Sequence, residues 1–149
     1  MLTPSDIPIR DPFVVPVAAE RRYYLFGTSV PEAWAAPATG LDYYTSSDLR
    51  HWEGPFPAFR PPAGFWSDRN YWAPEVHAYR GRYYLFASFK AEGVCRGTQI
   101  LAADGPGGPF VPIAGTITLP ANELHITASG AKTVLVDRDC TVAPRGPGC

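Results

Sequence analysis

A chain of 149 residues can bury one core of moderate size. Thirteen basic side chains against fourteen acidic ones leave it near neutral, and 11 of the basic residues are Arg spread along the chain, so no basic stripe of the kind nucleic acid demands is present. No run approaches the roughly 18 apolar residues of a membrane-spanning helix.

The start, Met1-Leu2-Thr3-Pro4-Ser5-Asp6, carries neither the basic nor the apolar region of a secretory signal, and a cytoplasmic location is expected. Neither a nucleic-acid partner nor a membrane is expected. Three cysteines, Cys95, Cys140 and Cys149, are too few and too scattered for a disulfide framework or a zinc site; Cys95 is expected to be an ordinary buried or semi-buried thiol. Fourteen Gly and 17 Pro suit many short strands joined by tight turns, and 8 Phe, 8 Tyr and 4 Trp supply their packing.

Taken in order, Phe13–Val17 and Tyr23–Thr28 read as short strands around the polar break 18–22. The alanine-rich stretch Glu32–Ala38, bounded by Pro31 and Pro37, reads as an irregular loop rather than a helix. Leu41–Ser46 is a third strand, followed by the turn Ser47-Asp48-Leu49-Arg50-His51 with Asp48 as turn former. Trp52–Pro57 follows, and its prolines place it at a sheet edge. A second series begins at Trp72: Val76–Tyr79, Arg82–Ser88 and Thr98–Ala103 are strands, with Asp104 and Phe110 repeating the parts of Asp48 and Trp52. From about Ala114 the texture changes. Thr116–Leu119 and Thr133–Val136 have strand composition, yet no aromatic residue follows Ala114, and 143–149 reads as a tail.

The two series are copies. Arg10-Asp11-Pro12-Phe13-Val14 leads into Arg22-Tyr23-Tyr24-Leu25-Phe26-Gly27-Thr28, and about sixty residues later Trp72-Ala73-Pro74-Glu75-Val76 leads into Arg82-Tyr83-Tyr84-Leu85-Phe86-Ala87-Ser88. A period of this size marks a repeated supersecondary unit such as a four-stranded propeller blade. Each copy sets a carboxylate beside a proline just before a strand, and the repeat is expected to turn equivalent acidic residues toward a common axis. Pro12 is expected to hold Asp11 extended.

The Tyr-Tyr pairs read as packing, with one ring of each pair facing inward. Asp11 is either a catalytic carboxylate or an anchor for the first strand's turn. Glu75 either hydrogen-bonds the hydroxyls of a ligand or tunes Asp11, or is held structurally by Arg10 or Arg69. Trp72 is a platform for a sugar ring or a core residue. His77 lines the same channel or is a satisfied structural histidine. His51 and His125 show no partner pattern, so no metal site is expected.

Arg10-Asp11-Pro12-Phe13, Tyr23–Thr28 and Tyr44–Trp52 resemble the first blade of family 43 glycoside hydrolases. Phe65–His77 with Gly81–Phe86 resembles the second, and the resemblance covers roughly residues 6–113. It implies an all-β fold: part of a five-bladed β-propeller, with blade one at about 6–60, blade two at about 66–113 and a poorly matching remainder, 114–149, in one truncated domain. It also implies hydrolysis of arabinofuranosyl or xylosyl linkages, with inversion, on a pentose-containing oligosaccharide or polysaccharide and without a cofactor.

The family uses a general base from blade one, a pKa-tuning Asp from blade three and a general acid Glu from blade four. By resemblance Asp11 is the base, and Trp72, Glu75, Phe13 and His77 are the substrate-binding candidates. Aligning Leu135–Asp139 with the third-blade strand puts the tuning position near Ala131. Nothing around Glu123, the last glutamate, matches the acid. The chain is therefore expected to be an inactive or weakly active N-terminal fragment that self-associates through exposed blade faces. Two rival readings are a non-catalytic carbohydrate-binding fragment or subunit completed by another chain, and a retaining fructan- or sucrose-acting propeller. The latter lacks its Asn-Asp-Pro-Asn style motif, since Ile9-Arg10 precedes Asp11.

Overall fold

The computed structural model describes residues 1–31, 33–34, 37–113, 125–126 and 133–134, the last two pairs and Cys95 by backbone only. It is all-β. Strands β1 (Ile9–Val17), β2 (Arg22–Ser29), β3 (Leu41–Ser46) and β4 (Glu53–Phe59) form one antiparallel sheet in chain order. Strands β5 (Arg69–Tyr79), β6 (Arg82–Ala91), β7 (Val94–Ala103) and β8 (Val111–Pro112) form a second with the same order. Two short strands, β9 (His125–Ile126) and β10 (Thr133–Val134), pair with each other.

Both sheets are meanders, the simplest path for strands joined by short turns. Arg80 and Gly81, both at positive φ, make the tight β5–β6 turn. Asp48 builds the β3–β4 turn: its Oδ1 accepts the N–H groups of Arg50 and His51, each at 2.8 Å. His51 Nδ1 lies 2.7 Å from Asp48 Oδ2, so this histidine does have a partner. Pro55 and Pro57 sit on β4, the outer strand of its sheet, where a missing N–H costs no ladder bond.

The Tyr-Tyr-Leu-Phe strands are inner strands of their sheets: β2 is buried from Tyr24 to Thr28, while β6 buries the alternate residues Leu85, Ala87 and Phe89. One face of β2 carries Tyr24 and Phe26, which join β1 residues Val15 and Val17 and Phe59 of β4 in the main core. From the second sheet the core receives Val76, Leu85, Ala87, Phe89 and Leu101. Phe59 meets Phe89 edge-on at 6.0 Å, and Phe26 meets Phe110 at 6.3 Å. Phe110 and Trp52, the residues that close the two turns, are both buried.

The other face of β2 carries Leu25, which packs with Ile7, Tyr44 and Trp52 in a smaller cluster. The registers make the asymmetry plain. Val14 pairs with Leu25 as Val76 pairs with Leu85. Val76 is 2% exposed beneath the first sheet, whereas Val14 is 41% exposed. Each sheet therefore offers the same face to a predecessor, and among the described residues that of the second sheet is covered by the first while that of the first is open.

Three expected boundaries move. Strand β1 begins at Ile9 and β5 at Arg69, so Asp11, Trp72 and Glu75 lie within strands rather than before them. Strand β7 begins at Val94, four residues earlier than composition suggested. Thr133–Val134 is a strand as expected; Thr116–Leu119, Leu135–Val136, Glu123, Ala131, the tail and the side chains of Cys95 and His125 lie outside the described part.

Tyr71 reports on the inter-sheet core. It is buried and donates to Ser67 O at 2.7 Å, and burial pushes its phenol up to about 12. The folded state therefore favours the neutral phenol, and this contribution is complete below pH 10 and lost as pH rises toward 12. Urea unfolding between pH 8 and 12 should show stability falling across that window, and Tyr71→Phe should flatten the fall while costing about 1 kcal/mol at neutral pH.

Candidate active site

Strand β1 pairs Arg10 with Thr28 and Phe13 with Phe26, so three steps on β1 meet two on β2. The extra residue is taken up by a bulge, and Asp11 adopts a φ of 51°. This corrects the extended backbone expected before Pro12: a bulge needs a residue that tolerates the left-handed region, and Asp does so better than most. Gly27 faces the bulge. A Cβ there would lie 3.0 Å from Arg10 O and 2.8 Å from Ile9 Cδ1, so glycine permits the close approach.

The second sheet repeats the device at Ala73, φ 48°, between the pairs Trp72–Ser88 and Glu75–Phe86. Ala73 is thus the counterpart of Asp11, and Glu75 is the counterpart of Phe13. The expected equivalence of the two carboxylates fails, because one stands before its proline and the other after it.

Thr28 joins the two bulges. Its fully buried hydroxyl accepts the Ala73 N–H at 2.8 Å and donates to Asp11 Oδ2 at 3.1 Å. With the Ala73 N–H occupying one lone pair, the hydroxyl turns its own hydrogen to Asp11, so a backbone amide of the next sheet helps to aim the carboxylate. Arg10 Nε lies 3.4 Å from the same Oδ2, and the Asp11 side chain remains 48% exposed.

The other expected residues gather on β1 and β5. Glu75 Oε2 is 3.4 Å from His77 Nε2, and the His77 ring sits 5.2 Å from Phe13 and 5.8 Å from Phe86. Neither arginine holds Glu75: Arg10 pairs with Asp11, and Arg69 pairs with Asp68 and Glu92. Trp72 is half-buried and donates from Nε1 to Ala33 O at 2.6 Å. The Arg10 guanidinium lies 5.4 Å from the Trp72 ring centre, and that of Arg96 lies 3.7 Å away.

Sequence reasoning missed Thr28, Arg96 and Trp34, and offered Arg10 as a partner of Glu75 rather than of Asp11. Thr28 ended a repeated strand motif and gave no sign that its hydroxyl faced the neighbouring sheet. A hollow of about 430 Å³, lined by residues including Ile9, Gly27, Leu41 and Tyr44, opens on the far face of the first sheet, and Asp11 does not line it. Among the described residues no three His, Cys, Asp or Glu side chains come together as a metal site.

The model of the glycosyl hydrolases family 43 matches residues 6–129. The chain belongs to that family. An endo-arabinase from Bacteroides thetaiotaomicron VPI-5482 is 33% identical, with a TM-score of 0.70 over 87% of this chain and 45% of that one. A thermostable family-43 glycoside hydrolase is 30% identical, with a TM-score of 0.61 over 71% of this chain and 32% of its own. The extracellular endo-α-(1→5)-L-arabinanase 1 of Bacillus subtilis (strain 168) is 31% identical over 77 residues, 48% of this chain and 22% of that protein. The chain thus spans under half of each relative, and its two meanders are blades of a partial family-43 propeller.

The Thr28 bridge has a direct test. Thr28→Val leaves the Ala73 N–H without its acceptor and should cost about 1–3 kcal/mol in chemical denaturation, whereas Thr28→Ser should retain most of the stability.

Proposed function

We propose that this chain carries the general-base half of an inverting glycosidase site for arabinofuranosyl linkages in pentose-containing glycans. The observation that carries the reading is the aim of Asp11, half-exposed on an inner-strand bulge and oriented by Thr28. In inversion one carboxylate deprotonates the attacking water while a protonated partner about 6.5–9.5 Å away gives a proton to the leaving oxygen. Asp11 suits the first role: held at one oxygen, it can meet water without reorganising. Phe13, Trp72, Glu75 and His77 are proposed to line the sugar's path. The family supports the reaction class, and two relatives at 30% identity or more are named for arabinan cleavage.

No described residue is assigned to the leaving-group proton, and the chain by itself is proposed to hydrolyse at trace level at most. The expected result on linear arabinan is trace hydrolysis with inversion at the anomeric carbon, seen by proton NMR. Asp11→Asn should lower it by about 10²–10⁴-fold, the usual worth of a general base. Hydrolysis indifferent to Asp11→Asn, or retention of configuration, overturns the reading.

We also propose self-association of two copies through the open face of the first sheet. Val14 and the hollow beside Gly27 stand there where the second sheet presents buried Val76 and Ala87 to its neighbour. Sedimentation equilibrium should find a dimer that Val14→Lys converts to monomer; a monomeric wild type refutes it.

A further inference from the structure

The largest aromatic side chain left in water is Trp34, 71% exposed. An indole buries more apolar area than almost any other side chain, so one left in solvent contributes little to folding. Its backbone is nonetheless firmly placed. Ala33 O accepts from Trp72 Nε1 at 2.6 Å and from Asn70 Nδ2 at 2.9 Å, and Ala38 N–H donates to Asp68 O at 2.6 Å. The chain is therefore fastened before the indole to β5 and after it to Asp68, the residue that precedes β5, and Ala33 itself is buried.

Its surroundings connect it to the base. The Trp34 ring stands edge-on to Trp72 at 4.8 Å and 76°. Arg10 sets its guanidinium 5.5 Å from the Trp34 ring and 5.4 Å from Trp72, while its Nε approaches Asp11 Oδ2. One side chain thus spans from the catalytic carboxylate to the exposed indole.

We infer that Trp34 is a sugar-stacking platform that holds a neighbouring residue of the glycan, one unit or more from the bond served by Asp11. A rigidly backed indole offers an apolar face to the C–H side of a sugar ring and needs no rearrangement to receive it. The ligand is a neutral sugar. Two guanidinium groups nearby would otherwise suit an anion, but Arg10 pairs with Asp11, and Arg96 donates to Asn70 O and Ser88 Oγ. The inference rests on Asp11 being the glycan-facing carboxylate.

Binding separates it from that reading. Calorimetric titration of the intact chain with arabinose, arabinobiose and arabinotriose should show affinity rising with length. Trp34→Ala should remove the gain from the added units, weakening arabinotriose about tenfold, as loss of an aromatic anchor commonly does. Trp34→Phe should recover most of it, and thermal melts of all three proteins should coincide. A Trp34→Ala variant that keeps the length dependence, or a wild type that binds none of the sugars, overturns the inference. Trp34-dependent binding with trace hydrolysis indifferent to Asp11→Asn would uphold the platform and sink the catalytic reading. Asp11-dependent trace hydrolysis with Trp34-independent binding would do the reverse.

Discussion

A single hydroxyl, Thr28 Oγ1, couples the two sheets at the point where chemistry is proposed. It is fully buried, and a buried hydroxyl must both give and accept to avoid a desolvation penalty. Ala73 satisfies the accepting side and Asp11 the donating side. The aim of the carboxylate is thereby made to depend on the packing of one sheet against the next. Aromatic contacts set that packing, with Phe59 against Phe89 and Phe26 against Phe110, so the site inherits the rigidity of the core. The same dependence explains why Asp11 sits on a bulge: the kink turns its side chain from the ladder toward a neighbour.

The repeated architecture was readable because two inner strands share an unbroken apolar signature, Tyr-Tyr-Leu-Phe, at two places with like surroundings. Pro55 and Pro57 announced an outer strand and Asp48 a turn, each through chemistry that acts over a few residues. The family resemblance rested on such local runs, and the match to residues 6–129 agrees with it. Strand starts were less legible. Asp11-Pro12 and Ala73-Pro74 look like interruptions, yet the chain absorbs each as a bulge and keeps pairing through it.

The site was legible as a set of inner-strand residues and not as a set of contacts. Phe13, Glu75 and His77 do gather, but the parallel drawn between Asp11 and Glu75 dissolved once the register aligned Asp11 with Ala73. Two carboxylates beside two prolines resemble each other in a linear reading; only the ladder shows on which side of the kink each one falls. Trp34 was hidden for a different reason. It lies in a loop without periodicity, and its placement comes from bonds to Asn70 and Trp72 nearly forty residues away.

The fastening of the 31–38 loop carries an implication for how such a scaffold diversifies. Ala33 O is held by two donors on β5 and Ala38 N–H by the carbonyl of Asp68 just before that strand, while the hydroxyl that steers Asp11 comes from elsewhere. Because the anchorage uses main-chain atoms of the segment, the bases of attachment tolerate many residue types in between. An insertion or exchange there would redraw the proposed grip on a glycan without re-aiming the proposed base, leaving the two free to drift apart.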